Sequence, residues 1–129
     1  MSLETQAKRT NQTILVVEDE VLLRLDLAHQ LRSAGFDVIE ADSGDEALAI
    51  LKVKSDVDLI LTDIRMPGEI DGAELARSVR AQAQKVKIVI LSAYADTQQQ
   101  LPVDAAFTKP VRIEALLTKV RQLLPLSPF

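Results

Sequence analysis

The chain has no cysteine, no tryptophan and a single histidine, and only Phe36, Tyr94, Phe107 and Phe129 are aromatic. Without cysteine there is no disulfide framework, no thiolate nucleophile and no cysteine-ligated zinc. So few rings leave the core to aliphatic side chains. The balance of 15 Lys and Arg against 19 Asp and Glu, a net −4, gives no basic footprint for nucleic acid or an anionic membrane surface. No apolar run approaches the ~18 residues of a membrane span, and the N-terminus lacks the apolar stretch of a secretory signal. Neither GxxxxGK[ST] nor GxGxxG occurs, so nucleotide binding is unsupported. His29 projects opposite the stripe of Leu23, Leu27 and Leu31, which makes it a surface residue, neither a partner for a nucleophilic serine nor a phosphate carrier. The expectation is a soluble, cytoplasmic, single domain of 129 residues, 47% of them hydrophobic.

The patterning alternates between two periods. Residues 13–18 form a continuous apolar run, the mark of a strand buried on both faces. Leucines at 23, 27 and 31 with Ala34 make a helical stripe over 20–34, closed by Gly35. Residues 36–41 alternate as a strand does. Ser43 and Glu46 form a capping box that opens a helix to about Lys54. A second buried strand follows at 58–63. Asp71 and Glu74 start a helix to about Ala83. Residues 86–92 are a third long apolar strand, 105–109 a weaker one. Ile113, Leu116, Leu117, Val120, Leu123 and Leu124 recur at helical spacing over 111–124. Strands alternating with helices imply right-handed βαβ crossovers and a parallel sheet. Five strands fit an α/β, open, doubly wound sheet in the flavodoxin-like order 2-1-3-4-5, whose ligand site lies at the switch point beyond the C-terminal ends of strands 1 and 3. Residues 1–12 and 126–129 are expected to be tails around a domain at 13–125, with 1–12 disordered. No repeat or linker to a second domain is visible.

One stretch needs an explanation: ILVVEDE delivers four aliphatic residues into Glu18, Asp19 and Glu20. Two like charges about 4 Å apart repel by roughly 4 kcal/mol at an effective dielectric of 20, so the fold must supply a cation, a helix N-terminus or a function. The strand ends supply the context. Strand 1 leaves Glu18 and Asp19, strand 3 leaves Asp63, strand 4 Ser92, and strand 5 Lys109 followed by Pro110. Three carboxylates without His or Cys suit a hard, oxygen-seeking cation, Mg²⁺ before Zn²⁺. Lys109 and the Ser92 hydroxyl suit a phosphoryl oxyanion. Asp63 could act as a carboxylate nucleophile and form an aspartyl phosphate. Glu20 is set aside as a first-turn carboxylate that complements its helix dipole. The acidic DVD at 56–58 lies at the wrong end of the sheet and is read as solvated loop.

With VVEDE, LTDIRMP, LSA and TKP each at the end of its proper strand, the sequence resembles the receiver domain of bacterial two-component response regulators over about residues 12–125. The resemblance implies Asp63 as phosphoacceptor. It implies Glu18, Asp19 and the Arg65 backbone carbonyl as further Mg²⁺ ligands, Ser92 as switch hydroxyl and Lys109 as phosphate-pairing lysine. Arg65 and Tyr94 fall where the family tunes dephosphorylation. A sensor histidine kinase or histidine phosphotransfer protein would be the donor and another protein the downstream target, with the chain a monomer or weak dimer. Since the chain ends soon after the last helix, no output domain is expected in it. The resemblance also implies a signalling module that catalyses only its own phosphotransfer and dephosphorylation, not an enzyme acting on a separate substrate.

Two rival readings share part of this pattern. A phosphohydrolase of the haloacid dehalogenase type would need an aspartate two residues after the nucleophile, where Arg65 stands, and a cap insertion. A pseudo-receiver would bind partners without phosphorylation. The chain also departs from its relatives. RMPGEIDG is one residue longer than the common loop, and the segment from Ser92 to Lys109 is several residues shorter, so the fourth of five helices is expected to be short. The usual aromatic three residues before the lysine is replaced by Ala106. Phe107 follows and should point to the other face. The conformational readout is therefore expected in 93–104.

Overall fold

A computed structural model of the chain describes residues 11–66, 68, 70–82, 85–93 and 101–125. The elements run β1 (Thr13–Val17), α1 (Val21–Ser33), β2 (Asp37–Ala41), α2 (Gly44–Val53), β3 (Leu59–Asp63), α3 (Gly72–Gln82), β4 (Lys87–Ser92), β5 (Ala105–Thr108) and α4 (Ile113–Leu123). All pairings are parallel, and the sheet order is β2-β1-β3-β4-β5. The expected short helix and Tyr94 fall on residues 94–100, outside the described residues, so α4 is the helix expected fifth. No helix among the described residues is long and apolar enough to cross a membrane.

Alternation along the buried strands divides the core into two layers. Ile14, Val16, Leu59, Leu61, Val89 and Leu91 face α1 and α4, joined by Leu27, Leu31, Leu116 and Val120. Leu15, Val17, Ile60, Ile88 and Ile90 face α2 and α3, joined by Ala47, Leu75 and Val79. Leu23, Leu27, Leu31 and Ala34 all pack in the first layer, as do Ile113, Leu116, Leu117, Val120 and Leu123 of α4 and its C-cap Leu124, so the helical spacing identified both faces. Burying one such aliphatic side chain contributes about 1.5–3 kcal/mol, which is how a core almost without rings holds. Phe107 packs in the α1/α4 layer, while Ala106 is exposed.

Helix starts follow the side chains the sequence provides. The Ser43 hydroxyl accepts from Glu46 N–H (3.1 Å), and Glu46 accepts in turn from Asp42 N–H (2.7 Å). Asp71 Oδ1 accepts from Glu74 N–H (2.9 Å) at the start of α3. Glu20 differs from expectation: it is the N-cap of α1, one residue ahead of the first turn, and its side chain caps nothing. The DVD loop is also corrected. Val57 is buried and Asp58 Oδ2 accepts from Thr13 N–H (2.8 Å), so this carboxylate fastens the start of β1 instead of standing in solvent. Ahead of β1, the Gln12 carbonyl accepts from Asp37 N–H (3.0 Å).

Glycines permit two close approaches at the loop that follows β3. A Cβ on Gly72 would meet the Asp63 carbonyl oxygen and the Ile64 Cα, and one on Gly44 would meet the Ile70 carbonyl. The loop is further tied by Gly72 N–H to Ile64 O (3.0 Å) and by Ile70 N–H to Asp45 Oδ1 (3.1 Å).

Candidate functional site

Backbone pairing continues one residue past several strand ends, and two of those residues, Glu18 and Lys109, are chemical ones. Glu18 N–H donates to Ala41 O (3.0 Å), Ile64 N–H to Leu91 O (3.1 Å) and Lys109 N–H to Ser92 O (2.6 Å). The side chains are therefore carried on the rigid sheet. Glu18, Asp63 and Ser92 are buried, at 2%, 8% and 4% exposure, whereas Asp19 is exposed. The site is thus a shallow acidic cup with one carboxylate at its rim.

One carboxylate oxygen from each of Glu18, Asp19 and Asp63 lies within 4.8 Å of the others. Glu20 is not in that group. An oxygen-only set with three carboxylates fits Mg²⁺ in ligand type. With Mg–O near 2.1 Å, opposite ligands lie about 4.2 Å apart, so the set closes on one ion with small inward shifts or through water.

Lys109 already occupies the middle of the cup. Its Nζ donates to Asp63 Oδ2 (2.9 Å) and Glu18 Oε1 (3.2 Å). Burial alone would lower its pKa, but the hydrogen bonds and charges of Asp63 and Glu18 outweigh that and raise it. Glu18 is shifted up as well. Burial is the main cause, helped by the Asp63 charge, against the Glu20 N–H and Lys109, which pull the other way. Glu18 Oε2 accepts from that Glu20 N–H (3.1 Å), and Asp63 Oδ1 from Arg65 N–H (3.3 Å). Lys109 precedes Pro110 through a cis peptide bond.

All the sequence-selected side chains except Tyr94 are among the described residues. Glu18, Asp19, Asp63 and Lys109 converge directly. Ser92 joins through its carbonyl bond to Lys109, at the end of β4 beside Asp63, whose register partner is Leu91. Arg65 is exposed two residues past Asp63. Arg24 was not foreseen: its Nη1 donates to Glu18 O (2.9 Å). Nor was Thr62, whose buried hydroxyl donates to Asp63 O (2.9 Å). Neither carried a signal, because an arginine in a helix's first turns and a threonine in a strand are commonplace.

The family model for the response regulator receiver domain matches residues 14–121. The chain belongs to that family. The sensor kinase CckA of Brucella abortus is 38% identical over 118 residues, which cover 87% of this chain but 12% of that protein. Sporulation initiation phosphotransferase F of Bacillus subtilis is 29% identical over 122 residues, 91% of this chain and 97% of that protein. Several other curated relatives are matched over about half of their length or less. The crystal structure of the response regulator TrrA from Thermotoga maritima, in complex with Mg²⁺-BeF, matches with a TM-score of 0.81 at 34% identity, covering 87% of this chain and 98% of that one. Receivers are signalling modules, and this one is homologous to phosphorylatable response regulators. Its acidic pocket is compatible with Mg²⁺ and with phosphorylation of an aspartate.

Proposed function

We propose that this receiver is a switch thrown by phosphorylation of Asp63. The observation that carries the reading is a buried Asp63 carboxylate bonded to Lys109 and grouped with Glu18 and Asp19. Asp63 attacks the phosphorus of a phosphohistidine on a sensor histidine kinase or a phosphotransfer protein. The P–N bond breaks, the imidazole nitrogen leaves with the electron pair and takes up a proton, and an aspartyl phosphate remains. Phosphoryl transfer needs positioning and charge neutralisation more than covalent assistance from the protein. Glu18, Asp19, Asp63 and the Arg65 carbonyl would hold Mg²⁺, which neutralises charge on the phosphoryl oxygens. Lys109 turns from the carboxylates to a phosphoryl oxygen, and the Ser92 hydroxyl donates to another. These movements shift the population of the β4–β5 face that a downstream protein reads. Arg65 and Tyr94 set how readily water removes the phosphoryl group. The donor and target place this work in the cytoplasm, with the chain a monomer or weak dimer.

Acetyl phosphate with Mg²⁺ should label the protein, and EDTA should prevent it. Lys109→Ala should slow labelling by about 100-fold, the low end of what one electrostatic donor contributes to a transition state. Labelling that persists in EDTA would contradict the reading. A wild-type protein that takes no label from any phosphohistidine donor would favour the pseudo-receiver.

A further inference from the structure

Glu18 and Asp19, the two acidic residues at the end of β1, share one peptide bond, so the orientation of that peptide aims both carboxylates. The carbonyl of this peptide is Glu18 O, which accepts from Arg24 Nη1 (2.9 Å). The same guanidinium donates through Nε to Glu40 Oε1 (3.3 Å) on β2. Both side chains are largely covered, at 17% and 24% exposure, so solvent screens the pair less than a surface one. The other Glu40 oxygen accepts from Arg32 Nη1 (3.3 Å), and Arg32 is half exposed. Arg24 is therefore held at two points on two elements, the peptide after β1 and the carboxylate near the end of β2.

A guanidinium bonded to the Glu18 carbonyl is a neighbour of two acidic residues joined by that peptide. Its planar fork matches a carboxylate bidentately, and left unpaired it would compete with a divalent cation for Glu18 or Asp19. Glu40, on β2, pairs with its Nε instead.

We infer that Arg24 is a positioning residue for the acidic pocket: it sets the Glu18–Asp19 peptide so that both carboxylates serve one cation, while Glu40 holds the guanidinium off them. The inference rests on the reading of Glu18, Asp19 and Asp63 as the Mg²⁺ site. Metal sites lose about 10–100-fold in affinity when the groups that orient their ligands are removed.

Titration of the full chain with Mg²⁺, by calorimetry or NMR, tests this. Arg24→Ala should bind about tenfold more weakly, Arg24→Lys less so, and Glu40→Gln in the same direction because the guanidinium is released. The double variant should bind no more weakly than Arg24→Ala alone, since the two groups act as one unit. Arg32→Ala should bind like wild type. A metal-free readout separates positioning from general destabilisation. The Glu20 amide, which donates to Glu18 Oε2, should exchange faster in Arg24→Ala than amides elsewhere in α1 and β1. Wild-type affinity with unchanged Glu20 exchange, or losses that add in the double variant, would overturn the inference. Should Arg24→Ala fail to fold, wild-type affinity in both Arg24→Lys and Glu40→Gln would do the same. A wild-type protein that binds no Mg²⁺ would overturn the site reading and this inference together, whereas binding in wild type and equally in the variants overturns this inference alone.

Discussion

Glu18 carries a carboxylate at 2% exposure beside a second buried carboxylate, and its pKa is raised above the usual 4.5 by burial and by Asp63. A group whose pKa is raised on folding binds its proton more tightly in the native state. Its contribution to stability is present below 4.5 and is lost as pH climbs through the folded value. In the metal-free protein, rising pH therefore works against the folded state through Glu18. Glu18→Gln should raise the thermal midpoint of the metal-free protein at pH 7. The gain should shrink as pH falls through 4.5, where Glu18 takes up its proton in the unfolded state as well. Calorimetry across pH 4–7 checks it, and a gain independent of pH would refute the electrostatic cause. Lys109 is raised above 10.5 by Asp63 and Glu18 despite its burial, so its contribution persists through neutral pH and disappears only as alkali strips the proton from the folded form.

At the scale of elements, the local signals were those that a few neighbouring residues determine. Ser43 with Glu46 and Asp71 with Glu74 marked two helix starts, and the spacing of leucines identified the packed faces of α1 and α4. What escaped were ties between residues distant in sequence. Asp58 grips Thr13 N–H, and Arg80 joins α3 to the Val86 carbonyl (2.8 Å) and the Asp104 carboxylate (3.0 Å). Such bonds leave no periodic trace. The glycine contacts after β3 give a test at this scale. Gly72→Ala forces a Cβ onto the Asp63 carbonyl and Ile64 backbone and should destabilise by about 2–3 kcal/mol, as overpacking does. Ser43→Ala, which loses one cap bond, should destabilise by about 1 kcal/mol. Urea unfolding of both decides; a Gly72→Ala variant as stable as wild type would mean that the loop is free to move away from α3.

For the whole molecule, topology turns scattered residues into one site. Glu18 and Lys109 are 91 positions apart, yet lie 3.2 Å apart because β1 sits beside β3 and β5 follows β4 in the sheet. Alternation of strand and helix made that order legible, and with it the convergence of Glu18, Asp63 and Lys109. Arg24 stayed hidden, since its role depends on a peptide orientation that no spacing encodes. We propose that this convergence makes Asp63 the phosphoryl acceptor. The most direct measurement is to phosphorylate the full chain with acetyl phosphate and Mg²⁺, reduce the acyl phosphate with borohydride, and locate the modified residue by peptide mass mapping. Asp63 alone should be converted to homoserine, and Asp63→Asn should show no conversion. Conversion at Glu18, Asp19 or any other carboxylate, or undiminished labelling of Asp63→Asn, would contradict it.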